Sequence, residues 1–483
     1  MVTTSGDEAR RATLRAALAA LNAGRFQEAA RLASAYARGE EDVEAALLLG
    51  LSLGASGRLA EAVPLLEAVA RARPNHAHPV HDLAALLARR GQRYEAAAAV
   101  HAVLALRPGT AALGTLLAEL GDMPGAIACF EAVAATRPGD AAAWTNLGKA
   151  LTAEGRFPEA EAAHARAVAL DPATPQFRVN QAMALLKAGR FAEGFTAWQA
   201  RNELPGAAAL PQGQPLNLAQ PLAGRIVLLA HEQGYGDTIM LIRYAAPLAA
   251  RGARVVAWVP PLLVRLVATV PGVAQAVPMD APPPRCDFVA GMLDLPALFG
   301  EGPEAIPARI PYLRADPAEV GRWNTRLAEH SGLRVGLVWA GAAREHDPAA
   351  RATDRLRSLN PALFAPLLAV PGTVPVSLQL GVPPPPGALD AMRGMRDFLD
   401  TAALVEALDL VVSVDTAVAH LAGALGKTVL LLDRYDNCWR WLHRREDTPW
   451  YPTMRILRQE RAGDWPPVIA RAVETVSGLA IPQ

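Results

Sequence analysis

The 483-residue sequence has few cysteines, no excess of charge of either sign and no unbroken hydrophobic run of membrane length. Its three cysteines, Cys129, Cys286 and Cys438, are scattered and include no C-x-x-C pair, so they provide neither a disulfide framework nor a zinc site. A reducing cytoplasm suits this use of cysteine. Lysine plus arginine and aspartate plus glutamate both total 47, so no overall field attracts nucleic acid, and we expect no nucleic-acid partner.

The hydrophobic stretch ARVVAWVPPLLVRLVATV is interrupted by two prolines and an arginine, and the first residues lack the apolar segment of a signal peptide. We therefore predict no membrane span and a cytoplasmic location. The length is sufficient for roughly three domains, each with its own core.

The first 200 residues repeat. A turn signal recurs at intervals of 33, 34, 30, 34 and 34 residues, as GRFQEA at Gly24, GRLAEA at Gly57, GQRYEA at Gly91, GDMPGA at Gly121, GRFPEA at Gly155 and GRFAEG at Gly189. Prolines between these glycines end helical patterns, so each period contains two helices and two turns. This period resembles that of the tetratricopeptide repeat, and we predict an α-solenoid of about six repeats over residues 1–204.

Two asparagines occupy the same repeat position, since Asn146 and Asn180 each lie nine residues before a turn glycine. Repeat arrays of this family usually hold an extended peptide in a concave groove, and an amide side chain can both donate to and accept from a peptide backbone. We regard both residues as candidates for a peptide-binding groove. The alternative is that they are solvated helix residues.

Beyond the repeats the pattern changes. Residues 205–222 are rich in proline, glycine and glutamine, as in a linker between domains. Short apolar runs then alternate with helical stretches in two series: RIVLLA, ARVVAWV and CDFVAGM, and then RVGLVWA, VPVSLQL, LDLVVSV and TVLLLD. This pattern predicts two consecutive Rossmann-like halves with buried parallel strands, at 223–316 and 331–475. Two such α/β halves would face a cleft at the carboxyl ends of their strands.

The segment HEQGYGDTIM follows the first of these strands. A dinucleotide-binding turn needs a third glycine, but Gly234 and Gly236 are followed by Ile239 in that position, and the second strand ends without an acidic residue for a ribose. These two departures argue against a dinucleotide site and leave a strand followed by a turn that lets the backbone approach a ligand. Asp237 lies at the start of the next helix, where it is either a helix cap or a general base that faces the cleft.

A second helix start occurs in LDLVVSVDTAVAHLAGALG. Asp415 and Thr416 follow a buried strand, and His420 lies one helical turn further on. Free amides at such a helix start bind diphosphate well. The alternative is that Asp415 only caps the helix and His420 packs in the wall of the cleft. Another turn that faces the cleft, WAGAAREHDPAARATDRLRS, carries several arginines from Arg344 to Arg357, which either contact phosphate or form a solvated loop.

Together, the segments GDTIMLIRYAAPLAARG, VGLVWAG, SLQLG, DLVVSVDTAVAHLAGALGK and WRWLHRREDTPWYP resemble glycosyltransferase family 9, the heptosyltransferase-like domain, over about 223–470. The order of repeats and this domain is also similar to that of protein O-linked N-acetylglucosamine transferases. The resemblance implies a GT-B fold and inverting transfer from a nucleotide-diphosphate sugar, with no metal or other cofactor. The absence of any D-x-D motif agrees with that expectation.

The resemblance also implies roles for single residues. Asp237 would deprotonate the acceptor hydroxyl, and His420 would add a hydrogen bond or a charge at the donor. The amides of Thr416 and Ala417 would hold the leaving diphosphate, and Arg344 would complete this clamp. Three tryptophans in a polar loop, Trp439, Trp441 and Trp450, either stack on a sugar or base or anchor the loop, and we favour anchoring for at least two of them.

We therefore expect an enzyme, a glycosyltransferase whose repeats recruit a protein acceptor, with a lipid-linked glycan or lipopolysaccharide as the other possible acceptor. Two alternatives remain open at this point. One is a nucleotide-sugar epimerase on the same fold, for which a repeat array has little use. The other is a peptide-binding scaffold with a degenerate GT-B domain.

Overall fold

A computed structural model describes residues 4–37, 42–73, 76–106, 110–207, 209–300, 302, 306–307, 309–341 and 354–480. Within these residues the chain divides into two compact units, Met1–Glu154 and Gly155–Gln483. Arg344, which the sequence nominated for the donor clamp, lies outside the described residues.

The first unit consists of helices packed in antiparallel pairs. They are α1 (Thr4–Asn22), α2 (Phe26–Ser34), α3 (Val43–Ala55), α4 (Leu59–Ala72), α5 (Val80–Arg89), α6 (Arg93–Leu104), α7 (Ala111–Leu120), α8 (Met123–Thr136) and α9 (Ala141–Glu154). Small residues let the helices approach closely: a Cβ on Gly54 would lie 2.5 Å from a methyl group of Leu83. Gly121 shows why the turns need glycine, since its φ of +90° is in the left-handed region.

The second unit begins with three more helices, α10 (Phe157–Leu170), α11 (Pro175–Lys187) and α12 (Phe191–Trp198). The aromatic side chains of Phe191, Phe195 and Trp198 are buried in the same hydrophobic core as the sheets that follow. The ring of Phe195 contacts Trp439 edge-on at a centroid distance of 5.4 Å. Val179, Ala182 and Leu186 of α11 lie in this core as well, so α11 and α12 share it with the α/β part of the unit.

The first sheet of the second unit contains β1 (Gln214–Pro215), β2 (Ile226–Ala230), β3 (Arg254–Val259), β4 (Val273–Pro278) and β5 (Phe288–Gly291). All its pairings are parallel, in the order β1-β5-β2-β3-β4, and Leu228 lies opposite Val256 on one side and Val289 on the other. Its helices are α13 (Tyr235–Leu241), α14 (Ala245–Ala250), α15 (Pro261–Val267) and α16 (Leu295–Phe299).

The second sheet contains β6 (Leu333–Val338), β7 (Thr373–Ser377), β8 (Leu389–Asp390), β9 (Leu410–Val414), β10 (Thr428–Asp433) and β11 (Met454–Arg458). These strands are also parallel, in the order β11-β10-β9-β6-β7-β8. The helices of this part are α17 (Pro317–Leu327), which precedes it, α18 (Ala365–Leu368), α19 (Phe398–Glu406), α20 (Ala417–Ala424) and α21 (Pro466–Ala480). The second unit is thus an α/β fold with two parallel sheets.

Both sheets reverse their winding at their first long strand. Chain order runs from β2 to β3 and β4 on one side and returns to β5 on the other, and from β6 to β7 and β8 and then to β9. Ligands of open α/β sheets bind at such switch points, beyond the carboxyl ends of the strands. Among the helices that the structure describes, we find none long and apolar enough to cross a membrane.

Candidate functional site

Two helices begin at the two switch points. After β2 the chain turns through His231–Gly234, and α13 starts at Tyr235. After β9, Asp415 and Thr416 lead into α20. The Ala419 amide donates the first helical hydrogen bond, to the carbonyl of Thr416 at 3.1 Å, so the amides of Thr416 and Ala417 have no acceptor within the helix. The start of α20 therefore presents donors to an anion.

Gly236 and His420 bring these two helices into contact. A Cβ built on Gly236 would lie 2.6 Å from Cδ2 of the His420 ring, so only glycine permits this approach. The two predicted segments, which are far apart in the sequence, therefore form one site. Gly234 has a different role: it is the residue that precedes α13, and its backbone is extended.

Asp237 uses its two oxygens differently. Its Oδ2 accepts a hydrogen bond from the Gly234 amide at 3.0 Å, which is the interaction of a helix start. Its Oδ1 forms an ion pair with Nη2 of Arg440. The Asp237 side chain is 14% exposed and that of Arg440 is 12% exposed, so this pair is largely shielded from water. The capping role predicted as one alternative is present in the structure.

Arg440 is a site residue that the sequence analysis did not find. Burial opposes its charge, but Asp237, Cys438 and Asp415 offset that effect and raise its pKa above the usual range of arginine. Its Nη1 donates to Sγ of Cys438 at 2.8 Å, and its guanidinium lies 4.5 Å from the ring centroid of Trp439. Arg440 is therefore a fixed cation close to both helix starts.

His420 is fully enclosed. Its ring stacks on Trp441 at a centroid distance of 5.1 Å, and its Nδ1 shares a 3.0 Å hydrogen bond with the hydroxyl of Tyr451. Burial lowers the pKa of His420 to about 3, and Arg440 adds to this effect. The imidazole is therefore neutral at physiological pH, so it offers a hydrogen bond rather than a charge. Its Nε2 lies 4.0 Å from Oδ1 of Asp415.

Among the described residues of the WAG turn, Arg357 reaches the start of α20. Its Nη1 donates to the carbonyl of Asp415 at 2.7 Å, and its Nη2 donates to Oδ1 of Asp354 at 2.6 Å. A Cβ on Gly341 would lie 2.5 Å from Nη2 of Arg357, so the turn makes room for the guanidinium. Arg357 therefore supplies positive charge at the position for which the sequence nominated Arg344.

A cluster of buried charged residues holds the glycine turn, His231–Gly234, which precedes α13. Arg201, which follows α12, contacts Glu232 at 2.8 Å and Asp294 at 2.6 Å. Glu232 also accepts the amide of Leu293 at 2.8 Å. Burial raises the pKa of Glu232, and Arg201 opposes this effect. The turn that carries Asp237 is thus tied to the end of the helical region.

The remaining candidates lie elsewhere. Asn146 is partly buried on α9 of the first unit. Asn180 is partly buried on α11 of the second unit, where its Oδ1 accepts from Nε2 of Gln176 at 3.0 Å. Trp439, Trp441 and Trp450 are each no more than 1% exposed, so anchoring is confirmed for all three. In the described part of the chain, no group of three or more metal-ligating side chains is present.

One family model of the tetratricopeptide repeat matches residues 8–77, 111–175 and 153–208, and another model of the same repeat matches residues 55–120. Residues 8–208 are a tetratricopeptide-repeat region. In an alignment 491 positions long, the chain is 29% identical to Protein FlbA of Caulobacter vibrioides, and the alignment covers 90% of this chain and 80% of that protein.

Among solved structures, the chain is similar to MamA proteins. MamA (residues 41 to the end) from Desulfovibrio magneticus RS-1 is 23% identical with a TM-score of 0.24, over 34% of this chain and 93% of that one. MamA MSR-1 is 21% identical with a TM-score of 0.21, over 40% of this chain and 95% of that one.

Proposed function

We propose that the second unit is an inverting glycosyltransferase of the GT-B type, which transfers a sugar from a nucleotide-diphosphate donor to an acceptor hydroxyl without a metal. The observation that supports this function best is the meeting of two switch points at Gly236 and His420. A carboxylate, Asp237, lies on one side and an anion-binding helix start lies on the other. These are the two parts that such a transfer needs.

The start of α20 would hold the donor. The free amides of Thr416 and Ala417 lie at the positive end of the helix dipole, which favours a diphosphate. Arg357 contributes a fixed positive charge through its contact with the Asp415 carbonyl. Neutral His420 would donate one hydrogen bond. As the bond between sugar and diphosphate breaks, these groups would stabilise the charge that develops on the leaving oxygen.

Asp237 would act on the acceptor. The acceptor hydroxyl gives its proton to the carboxylate while its oxygen attacks the anomeric carbon from the face opposite the diphosphate. The nucleoside diphosphate then leaves, and the configuration at the anomeric carbon is inverted. Arg440 would orient the carboxylate through the ion pair on Oδ1, and each carboxylate oxygen retains a further lone pair for the acceptor.

The repeats would recruit a protein acceptor. A tetratricopeptide-repeat region favours a protein partner, because its stacked helices present a continuous surface to an extended chain. Asn146 and Asn180 remain our candidates for contacts with the backbone of such a peptide.

One observation favours a second function. Both oxygens of Asp237 already have partners, the Gly234 amide and Arg440, as expected for a purely structural carboxylate. In that case the unit would be a non-catalytic scaffold that binds a nucleotide or a peptide without transfer.

Substitution of Asp237 by asparagine separates these functions. The matched control is Asp287→Asn, because Asp287 likewise accepts one backbone amide, that of Ile226 at 2.8 Å, and pairs with one arginine, Arg225. For an enzyme we expect Asp237→Asn to reduce transfer at least 100-fold, since general bases contribute factors of about 10² to 10⁴, while Asp287→Asn remains active.

Donor binding is measured on the same proteins. A thermal-shift panel of nucleoside diphosphates and nucleotide sugars identifies the donor, since a ligand at about 100 times its Kd adds roughly 2.7 kcal/mol of stability. Transfer by Asp237→Asn at the wild-type rate would eliminate the proposed base. Donor binding without transfer in the wild type, tested with candidate protein and glycan acceptors, would support the scaffold.

A further inference from the structure

A second cavity lies apart from the start of α20, between α17 and the segment that leads into α19. Its volume is about 290 Å³, enough for several water molecules at roughly 30 Å³ each. Its charged lining consists of four arginines and two carboxylates, namely Arg322, Arg326, Arg393, Arg396, Glu319 and Asp400. None of these side chains takes part in the transfer proposed above.

The positive charges of this cavity are only partly neutralised. Arg322 pairs with Glu319. Arg396 binds Asp400 through two hydrogen bonds of 2.7 and 2.8 Å. Among the residues that the structure describes, neither Arg326 nor Arg393 has a carboxylate partner.

Neighbouring groups add charges of both signs. Arg265 contacts Asp397 and Asp400 at 2.9 and 3.0 Å, and Asp316 interacts electrostatically with Arg322. The hydrogen bond from Arg396 holds the pKa of Asp400 well below its usual range, despite partial burial. The four arginines and two carboxylates that line the cavity itself leave a surplus of two positive charges there.

We infer that this cavity binds a phosphate group of a small molecule as a dianion. The surplus of two charges matches that of a phosphate monoester at neutral pH. Planar guanidinium groups donate two parallel hydrogen bonds to phosphate oxygens, which explains why the cavity uses arginine and no lysine. The Arg326 guanidinium lies over the Trp323 ring at 4.9 Å, a contact that orients it at the cavity.

The cavity lies close to the glycine turn. Arg396 and Asp400 flank Phe398, the first residue of α19, and the ring of Phe398 contacts Tyr235 edge-on at 5.5 Å. Tyr235 is the first residue of α13 and precedes Asp237 by two positions. A phosphate in this cavity would therefore be held near the helix start that carries Asp237.

The inference is tested by calorimetric titration of the full-length protein with inorganic phosphate at constant ionic strength. The double substitution Arg326→Gln with Arg393→Gln removes the two unpaired charges. Its control, Arg254→Gln with Arg285→Gln, removes two exposed arginines outside the cavity. We expect the first variant to weaken phosphate binding at least tenfold and the control to change it less than twofold.

A third variant tests whether phosphate binds at the start of α20 instead of in the cavity. Because phosphate could also bind at the start of α20, Arg357→Gln is titrated in parallel, and we expect it to retain the cavity affinity within twofold. Loss of binding in Arg357→Gln, with normal binding in the double variant, would overturn the inference. Absence of phosphate binding to the wild type at millimolar concentration would overturn it as well. Neither result depends on sugar transfer.

Glycerol 3-phosphate distinguishes two sources of the group. Tighter binding of this monoester than of inorganic phosphate indicates that the cavity also contacts the esterified part of a metabolite. Equal or weaker binding indicates a site for free phosphate. Thermal unfolding of each variant, compared with the wild type, establishes that the affinities refer to folded protein.

Discussion

The contact between Gly236 and His420 makes a sharp prediction about the substitution Gly236→Ala. The new Cβ would lie 2.6 Å from Cδ2 of His420, well inside van der Waals contact. The imidazole cannot retreat, because Trp441 stacks on one face and Tyr451 holds its Nδ1. We therefore expect an overpacked interface between α13 and α20, which typically costs about 1 to 3 kcal/mol.

An opposing effect has to be subtracted. Gly236 lies within α13, and its φ is not positive, so alanine can adopt its backbone conformation. Alanine would therefore gain about 0.5 to 1 kcal/mol of helix propensity relative to glycine. The steric cost exceeds this gain, so the net effect is destabilising. The control is Gly478→Ala on α21, where a Cβ would have no neighbour within 4 Å and the propensity gain acts alone.

The two substitutions should therefore change stability in opposite directions. We would measure the thermal transition of the second unit by calorimetry, where 1 kcal/mol corresponds to roughly 2 °C in a domain of this size. A melting temperature for Gly236→Ala equal to or above that of the wild type, beside a raised one for Gly478→Ala, would refute the close approach of the two helices.

Two further predictions concern buried charge. Because the pKa of His420 is about 3 when folded and near 6.5 when unfolded, the unfolded chain binds the extra proton and stability falls as pH drops below 6.5; at pH 5 the loss from this group is about 2 kcal/mol. Urea unfolding at pH 7 and pH 5 should therefore show a smaller loss for His420→Gln than for the wild type, and an identical loss would contradict the buried neutral imidazole. Replacement of Arg201 by methionine leaves Glu232 and Asp294 buried without their cation, which costs about 3 to 5 kcal/mol. Adding Glu232→Gln should recover part of that loss in the same unfolding assay, and no recovery would show that Arg201 acts through packing alone.

Local signals in the sequence predicted much of the fold. The six turn glycines recur because each turn between paired helices needs a positive φ, which glycine adopts at no steric cost. Apolar runs predicted β2, β3, β5, β6, β7, β9 and β10, since strands buried on both faces contain few polar residues. Strand β4 escaped prediction because VAQAVP is partly exposed, and the two-residue strands β1 and β8 are too short for any pattern.

Local signals predicted the site only as two separate helix starts, and it was the resemblance to glycosyltransferase family 9 that assigned both to one site. Asp237 and His420 each follow a recognisable strand end, but nothing in the sequence shows that Gly236 meets His420. The partner of Asp237, Arg440, lies 203 residues away in a three-residue 3₁₀ helix, Trp439–Trp441, and no periodicity links the two positions. Local signals also did not distinguish Arg357 from the other arginines of its turn, because its contact with the Asp415 carbonyl spans 58 residues of sequence.

The shared core of α12 and the sheets affects how this protein could exchange parts with others. Phe191, Phe195 and Trp198 pack against residues of the two sheets and their helices. The last repeat helices therefore depend on the second unit for their core and cannot be exchanged together with the earlier repeats. Recombination at residue 205, in the proline-rich segment, would separate these aromatic side chains from the residues that bury them and expose them to water. Fusion at the junction between Glu154 and Gly155 would leave that core intact. An exchange of the first unit for another helical array, in evolution or by design, should therefore take place at the junction between Glu154 and Gly155.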